Sequence, residues 1–334
     1  MRTNALAKRC GFPGLSAMGR SQTYNRCMPI DSTLQLATSI ATRIDSGCTV
    51  LRAWPMEGGV SAQVIAFETV GANGVIRKMI VRRHGAIDFA QNPRIAADEF
   101  KLLRALYDEG LPVPEPYFLD ETNEILETQY LVTAYVDADP GLLVFSPELI
   151  ARQMAARLAD IHTVDWQVAG LDFLPKQRQR VERRVGRRPE CLDDSLSEGQ
   201  VRAQLETHLP LSNVNTTVLL HGDYWPGNTL WRNSKLIAVI DWEDAAIGDP
   251  LADVANCRME LLWAFDATCM ETFTTTYLEL TSIDFSKLPV WDLYAGLGPA
   301  SKLSGWGLDA DTEQRMRQRH ADFVAQAIDV LNDK

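Results

Sequence analysis

The sequence predicts a two-lobed α+β fold, and three observations carry that expectation. At 334 residues the chain exceeds what one hydrophobic core usually serves, so two lobes or two domains are expected. Apolar β-forming runs separated by turn residues dominate the first 137 residues, whereas helical periodicity dominates from 138 onward. Within that helical half stands one exception, a pair of short apolar runs at 218–220 and 236–240 with polar residues just past their C-terminal ends. The expected organisation is a disordered tail over residues 1–30, an N-terminal lobe over 31–137 built on an antiparallel sheet with helices, and a mainly helical lobe over 138–334 containing a β-hairpin.

In the first lobe, apolar residues at 34, 37, 40, 41 and 44 recur at helical spacing behind an Asp31 or Ser32 cap, and Gly47 ends the helix. Strands over 49–54 and 62–69 flank the turn Pro55-Met-Glu-Gly-Gly-Val-Ser61. Gly58 and Gly59 let such a backbone approach a phosphate and Ser61 adds a hydroxyl, although the same residues also make a plain hairpin turn. A third strand over 75–83 ends in Arg82 and Arg83, and a helix over 93–107 carries Glu99. Gly110-Leu-Pro-Val-Pro-Glu-Pro116 stops that helix. Strands over 117–120 and 128–136 close the sheet, and 137–141 reads as the linker.

In the second lobe, Ser146 caps a core helix over 149–161 with Pro147 at its first position, and His162 closes it as a hydrogen-bonded structural histidine. Residues 176–188 hold seven basic side chains against one acid. That run reads as a solvated helical face or as a positive rim for an anionic substrate. Helices follow over 251–265, 267–280 and 312–331, the last with Met316, His320, Phe323, Ala327, Ile328 and Leu331 on one side. Trp225, Trp242, Trp263, Trp291, Trp306 and Glu260 are candidate lining residues for a pocket, although aromatic residues at helical spacing serve a core more often.

The polar residues past the two short strands are Asp223, Asn228 and Asp241. A turn at 233–235 folds 229–232 back on 236–240 and brings Asp241 beside Asn228. Phosphoryl transfer needs one carboxylate to accept the proton of the attacking hydroxyl and two oxygen ligands for Mg²⁺, and these three side chains match that need. His221 is expected to hydrogen-bond backbone near this loop, and Asp249 and Asp253 to hold the loop that follows and cap a helix.

Composition narrows the function classes. An apolar fraction of 46% with 23% charged residues describes an ordinary globular chain. The net charge of −11 argues against a nucleic-acid surface and would suit cationic substrates. Six cysteines form no C-x-x-C pair and five histidines show no ligand spacing, so a disulfide framework, a zinc site and a metal-dependent hydrolase are all disfavoured. A reducing, cytoplasmic setting is expected. No apolar run reaches about 18 residues, so no membrane span is expected. The first thirty residues carry Arg2, Lys8, Arg9, Arg20 and Arg26 without an acid or an apolar signal core, which leaves a transit peptide as the lesser alternative to a plain tail and Met28 as a possible start.

The runs His221-Gly-Asp-Tyr-Trp-Pro-Gly-Asn228, Ile240-Asp-Trp-Glu243 and Ala245-Ala-Ile-Gly-Asp-Pro-Leu-Ala-Asp253 resemble the signature of the aminoglycoside phosphotransferase and choline kinase family, relatives of the protein kinases. The resemblance covers about residues 48–280 and implies a protein-kinase-like fold with ATP and Mg²⁺ as cofactors. It implies Asp223 as catalytic base, Asn228 and Asp241 as Mg²⁺ ligands, and Gly58, Gly59 and Ser61 over the ATP phosphates. It also implies Thr133 at the back of the adenine pocket, with the backbone of Ala134 and Val136 bonding the base. Arg82 stands where those kinases carry a lysine that grips the phosphates, with Glu99 orienting it, and arginine's planar fork makes the exchange a non-neutral one. The implied activity is transfer of the γ-phosphate to a hydroxyl of a small molecule, with a catalytically inactive nucleotide-binding regulator as the alternative that Arg82 motivates. An aminoglycoside-like acceptor follows from the family at large. A hydroxy-acyl acceptor follows from the kinase-like domains associated with acyl-CoA dehydrogenases, whose Asp-Trp-Glu and Gly-Asp-Pro-Leu pattern this chain resembles most.

Overall fold

The computed structural model describes residues 30–56, 62–139, 145–209 and 214–333. The expected tail, the turn residues Gly58, Gly59 and Ser61, and the end of the linker lie outside the described residues.

Helix α1 (Ile30–Ile44) packs on a sheet of β1 (Thr49–Pro55), β2 (Ala62–Val70), β3 (Ile76–His84), β4 (Pro116–Asp120) and β5 (Tyr130–Ala134). The strands run antiparallel in the order β1-β2-β3-β5-β4. Ala37, Ile40 and Ala41 of α1 form one core with Ile65, Phe67, Met79, Val81, Tyr130 and Val132. Side chains alternate along a strand, so turning Met79 and Val81 toward that core turns Arg82 and His84 to the opposite face. That face meets α3 (Ile95–Asp108), reached through the short α2 (Ala86–Gln91).

A second core joins the lobes. Ala96, Leu102, Leu103 and Leu106 of α3 share it with Leu131 of β5 and with Ile150, Met154 and Leu158 of α4 (Pro147–His162). Ser146 Oγ accepts from Leu149 N at 3.2 Å and fixes where α4 begins. Each large apolar side chain fully buried there stabilises the fold by about 1.5–3 kcal/mol, so the floor of the cleft is rigid.

β6 (Val218–Leu220) pairs with β9 (Ala246–Gly248), and β7 (Thr229–Arg232) forms a hairpin with β8 (Lys235–Val239). Asn233 and Ser234 have φ of 50° and 62°, the positive pair that a primed two-residue hairpin turn requires. Helices α5 (Gln177–Gly186), α6 (Glu198–Thr207), α7 (Leu251–Ala264), α8 (Ala267–Leu280), α9 (Leu288–Gly296) and α10 (Ala310–Asn332) complete the lobe. A third core lies among α5, α6, α7, α9 and α10 and includes Val181, Val185, Met259, Leu293, Phe323 and Val324.

This arrangement is an antiparallel-sheet lobe on a helical lobe with a hairpin at the junction. Trp242, Trp263, Trp291 and Trp306 are buried core residues rather than pocket lining, whereas Trp225 is half-buried beside the 222–228 loop. Leu331 is only partly buried on α10. Among the described residues, no helix is long and apolar enough to cross a membrane.

Candidate active site

The loop after β6 is held from three sides. His221 is fully buried, and its Nδ1 accepts from Asp223 N at 3.3 Å while its Nε2 lies 3.0 Å from the Ile240 carbonyl. These contacts fit the neutral tautomer protonated on Nε2, and burial lowers the imidazole pKa in the same direction. Asp253 on α7 accepts from His221 N at 2.6 Å and from Gly222 N at 2.9 Å. The expectation had Asp253 holding the loop that follows; it holds the loop that precedes it. His162 stands behind, 3.4 Å from Asp253 Oδ2 and 2.6 Å from the Tyr277 hydroxyl. Asp249 caps the start of α7 through Leu251 N at 3.0 Å. Gly222 has φ of +83°, and a Cβ there would overlap the Asp244 carbonyl oxygen, so both conformation and space demand glycine.

The hairpin then returns the chain. Ile240 N donates to the Asn228 carbonyl at 2.9 Å, which sets Asp241 beside Asn228. Asn228 Nδ2 donates to both the carbonyl (2.9 Å) and Oδ2 (3.1 Å) of Asp223. With both protons of its amide directed at Asp223, Asn228 keeps its Oδ1 for another partner. Asp241 adopts φ of +69°, a left-handed conformation that costs a non-glycine residue about 1–2 kcal/mol, and that turns its carboxylate toward β3.

Arg82 reaches across from β3. Its Nη2 lies 2.6 Å from Asp241 Oδ1 and 2.8 Å from Glu243 Oε2, and its Nε lies 3.4 Å from Glu99 Oε2. Glu99 also lies 2.7 Å from His84 Nε2, while its neighbour Asp98 bonds Asn92 at 2.9 Å instead. Burial opposes the charge on Arg82, but Glu99, Asp241 and Glu243 outweigh it and hold the guanidinium above its ordinary range. Burial raises Glu99, yet Arg82 and His84 outweigh it and keep the carboxylate low. Glu243 is pushed up to about 8, first by burial and then by Asp241, with Arg82 pulling it down. Burial, then Asp244 and Glu260, raise Asp223 well above the carboxylate range.

This surplus of carboxylate over cation is the observation that a divalent ion fits here. The Asp241 carboxylate and the Oδ1 of Asn228 are hard oxygen donors of the kind Mg²⁺ takes. His84, Asp88 and Glu243 also place one ligand atom each within 4.8 Å of one another. Sequence reasoning missed that group because Glu243 comes from the other lobe.

On the sheet side, Thr133 is buried and Ala134 N donates to the Glu115 carbonyl at 2.8 Å. The Ala134 N–H is therefore not free for a bound molecule. Val136 follows, partly buried, just past β5. On the opposite side, the basic run divides. Arg178 pairs with Glu182 at 2.9 Å and Arg188 approaches Glu206 at 3.7 Å, a solvated face. Arg180 bonds the Asp244 carbonyl and Arg184 stacks over the Tyr294 ring at 5.0 Å, so these two face the junction.

Residues 54–296, most of the chain, match the family model described as Phosphotransferase enzyme family. Mouse acyl-CoA dehydrogenase family member 10 is 31% identical over 194 residues, which is 54% of this chain but 18% of that protein. Viomycin phosphotransferase of Streptomyces vinaceus is 27% identical over 216 residues, covering 58% of this chain and 75% of that one. The solved GDP and kanamycin complex of APH(2")-IIia shares the fold with a TM-score of 0.60 and 18% identity, over 89% of this chain and 97% of that one. The chain thus spans less than a fifth of the length of its mouse relative, yet most of the phosphotransferase it matches. On the match across residues 54–296, the chain belongs to the phosphotransferase enzyme family.

Proposed function

We propose that the chain is an ATP-dependent O-phosphotransferase in which Asp223 takes the proton from the attacking hydroxyl of a small molecule. The observation that carries this reading is the convergence of Asp223, Asn228 and Asp241, joined by the Asn228 to Asp223 hydrogen bonds and by Ile240 N on the Asn228 carbonyl. Burial and neighbouring carboxylates raise Asp223 well above the ordinary carboxylate range, which makes it a stronger base than a solvated carboxylate. Asn228 and Asp241 would hold Mg²⁺, which neutralises phosphate charge when bound.

Arg82 holds Glu99, Asp241 and Glu243 through Nε and Nη2, so its Nη1 is the edge offered to a phosphate oxygen. Glu99 fixes the guanidinium plane. The Ala134 carbonyl and the backbone N–H of Val136 would bond adenine, with Thr133 closing the back of the pocket, and Gly58, Gly59 and Ser61 would cover the phosphates. The acceptor is an aminoglycoside-like antibiotic, the class of the kanamycin bound to one solved neighbour, or a hydroxy-acyl compound. The four described cysteines are free thiols, which supports a cytoplasmic setting.

The test is a transfer assay with ATP or GTP and Mg²⁺ against kanamycin, viomycin, 3-hydroxybutyrate and its coenzyme A thioester. Transfer to at least one hydroxyl is expected. Stabilisation by nucleotide and Mg²⁺ without any transfer would instead support a nucleotide-binding regulator.

A further inference from the structure

His84 ends β3 two residues after Arg82, and its side chain is buried, yet neither ring nitrogen has an aligned hydrogen bond. Glu99 Oε2 lies 2.7 Å from Nε2 but outside hydrogen-bond alignment, and it lacks another partner as well. Native chains satisfy nearly all buried polar atoms. An imidazole left in this way points to a group supplied from outside the chain.

The neighbours of that ring say which group. Nδ1 lies 3.8 Å from Glu243 Oε2, and one ligand atom each from His84, Asp88 and Glu243 fall within 4.8 Å of one another. Gly85 N donates to Asp88 Oδ2 at 3.3 Å, which holds that carboxylate over the start of α2, beside the end of β3. Phe89 braces the imidazole edge-on, with ring centroids 6.3 Å apart. Glu243 comes from the other lobe, where Arg82 Nη2 bonds it at 2.8 Å. Asp88, Glu99 and Glu243 thus set three carboxylates around His84 against the guanidinium of Arg82, and a divalent cation offsets that excess.

We propose that His84 Nδ1, Asp88 and Glu243 form a second metal site, which takes a divalent transition ion of the Zn²⁺ class and ties β3 and α2 to the loop after β8. Imidazole with carboxylates suits such an ion, whereas Mg²⁺ prefers an octahedron of oxygens. Glu99 beside Nε2 follows the arrangement in which a carboxylate orients a metal-bound histidine from its far nitrogen. Zn²⁺ bonds of about 2.0–2.2 Å set tetrahedral ligands roughly 3.4 Å apart, so His84 and Glu243, at 3.8 Å, are already near that spacing. One histidine alone takes part, which is why histidine spacing in the sequence gives no sign of the site. It shares no ligand with Asn228 and Asp241 and requires no turnover, so it goes beyond the phosphotransfer reading and stands apart from it.

The experiment strips the whole chain of metal with a chelator and titrates Zn²⁺ or Mg²⁺ without nucleotide into wild type, His84→Gln, Asp88→Asn and Asn228→Ala. Calorimetry reads binding, and thermal unfolding is followed in parallel. Wild type is expected to bind Zn²⁺ at least about 100-fold more tightly than Mg²⁺ and to unfold at a higher temperature when loaded. His84→Gln should weaken Zn²⁺ by more than about 100-fold, beyond the roughly 10- to 100-fold that losing a supporting contact costs. Asp88→Asn should weaken it as well, and tests the site even where His84→Gln does not fold. Asn228→Ala should keep the wild-type affinity for Zn²⁺. Failure of wild type to bind Zn²⁺, binding undiminished in His84→Gln and Asp88→Asn, or binding lost in Asn228→Ala alone would overturn the site while leaving phosphotransfer standing.

Discussion

Asn228 directs both protons of its side-chain amide at Asp223, one to the backbone carbonyl at 2.9 Å and one to Oδ2 at 3.1 Å. A single residue thereby orients the proposed base and carries the Oδ1 proposed as a metal ligand. Replacing it removes both functions at once.

Asn228→Ala should therefore lower kcat by about 10²-fold or more and raise the Mg²⁺ concentration needed for half-maximal rate. Steady-state rates over a Mg²⁺ titration check this. An unchanged Mg²⁺ dependence would remove Asn228 from the metal site.

Arg82→Lys exchanges a fork that spans Glu99, Asp241 and Glu243 for a single ammonium. Lysine cannot hold those carboxylates and a phosphate oxygen together. The variant should lose roughly 10- to 100-fold in kcat/KM for the nucleotide while the acceptor KM changes little. Initial rates with each substrate varied in turn separate the two.

Gly222→Ala forces a side chain into a left-handed backbone and onto the Asp244 carbonyl. A loss of more than about 2 kcal/mol in stability, or of about 10²-fold in turnover if the loop shifts instead, is expected. Gly305→Ala, where a Cβ would meet nothing within 4 Å, is the matched control and should change neither. Thermal unfolding beside turnover reads both.

Burial of Glu260 on α7 predicts a pH dependence of stability. Its pKa is pushed up to about 8 in the folded state from an ordinary 4.5, so the native protein binds the proton more tightly than the unfolded chain. The resulting contribution is complete below about pH 4.5 and is lost as pH rises through about 8, at up to about 1.4 kcal/mol per pH unit between. Unfolding curves from pH 5 to 8 should thus be flatter for Glu260→Gln than for wild type. Parallel curves would contradict that raised pKa.

What the sequence made legible was local. Asp223, Asn228 and Asp241 fall within one stretch of chain, where turn chemistry and two short strands fix their separation, and Ser146 announces the start of α4 in the same way. The network around Arg82 was only partly legible. His84 shares a strand face with Arg82 by simple alternation, but its contact with Glu99 needs α3 packed on the sheet and its approach to Glu243 needs both lobes in place. β9 is three residues long, too short for a periodic signal, and Asp253 reaches more than thirty residues back to the loop it holds. Trp242 and Trp263 stood as candidate lining residues with a core role the commoner reading, because hydrophobicity alone does not say which side of a helix or turn faces a core.

The most direct measurement is phosphoryl transfer by Asp223→Asn, with nucleotide binding followed on the same preparation. The amide keeps the size and the Asn228 contact but cannot accept a proton, so kcat should fall by about 10²- to 10⁴-fold with nucleotide affinity unchanged. Transfer at the wild-type rate would contradict the account.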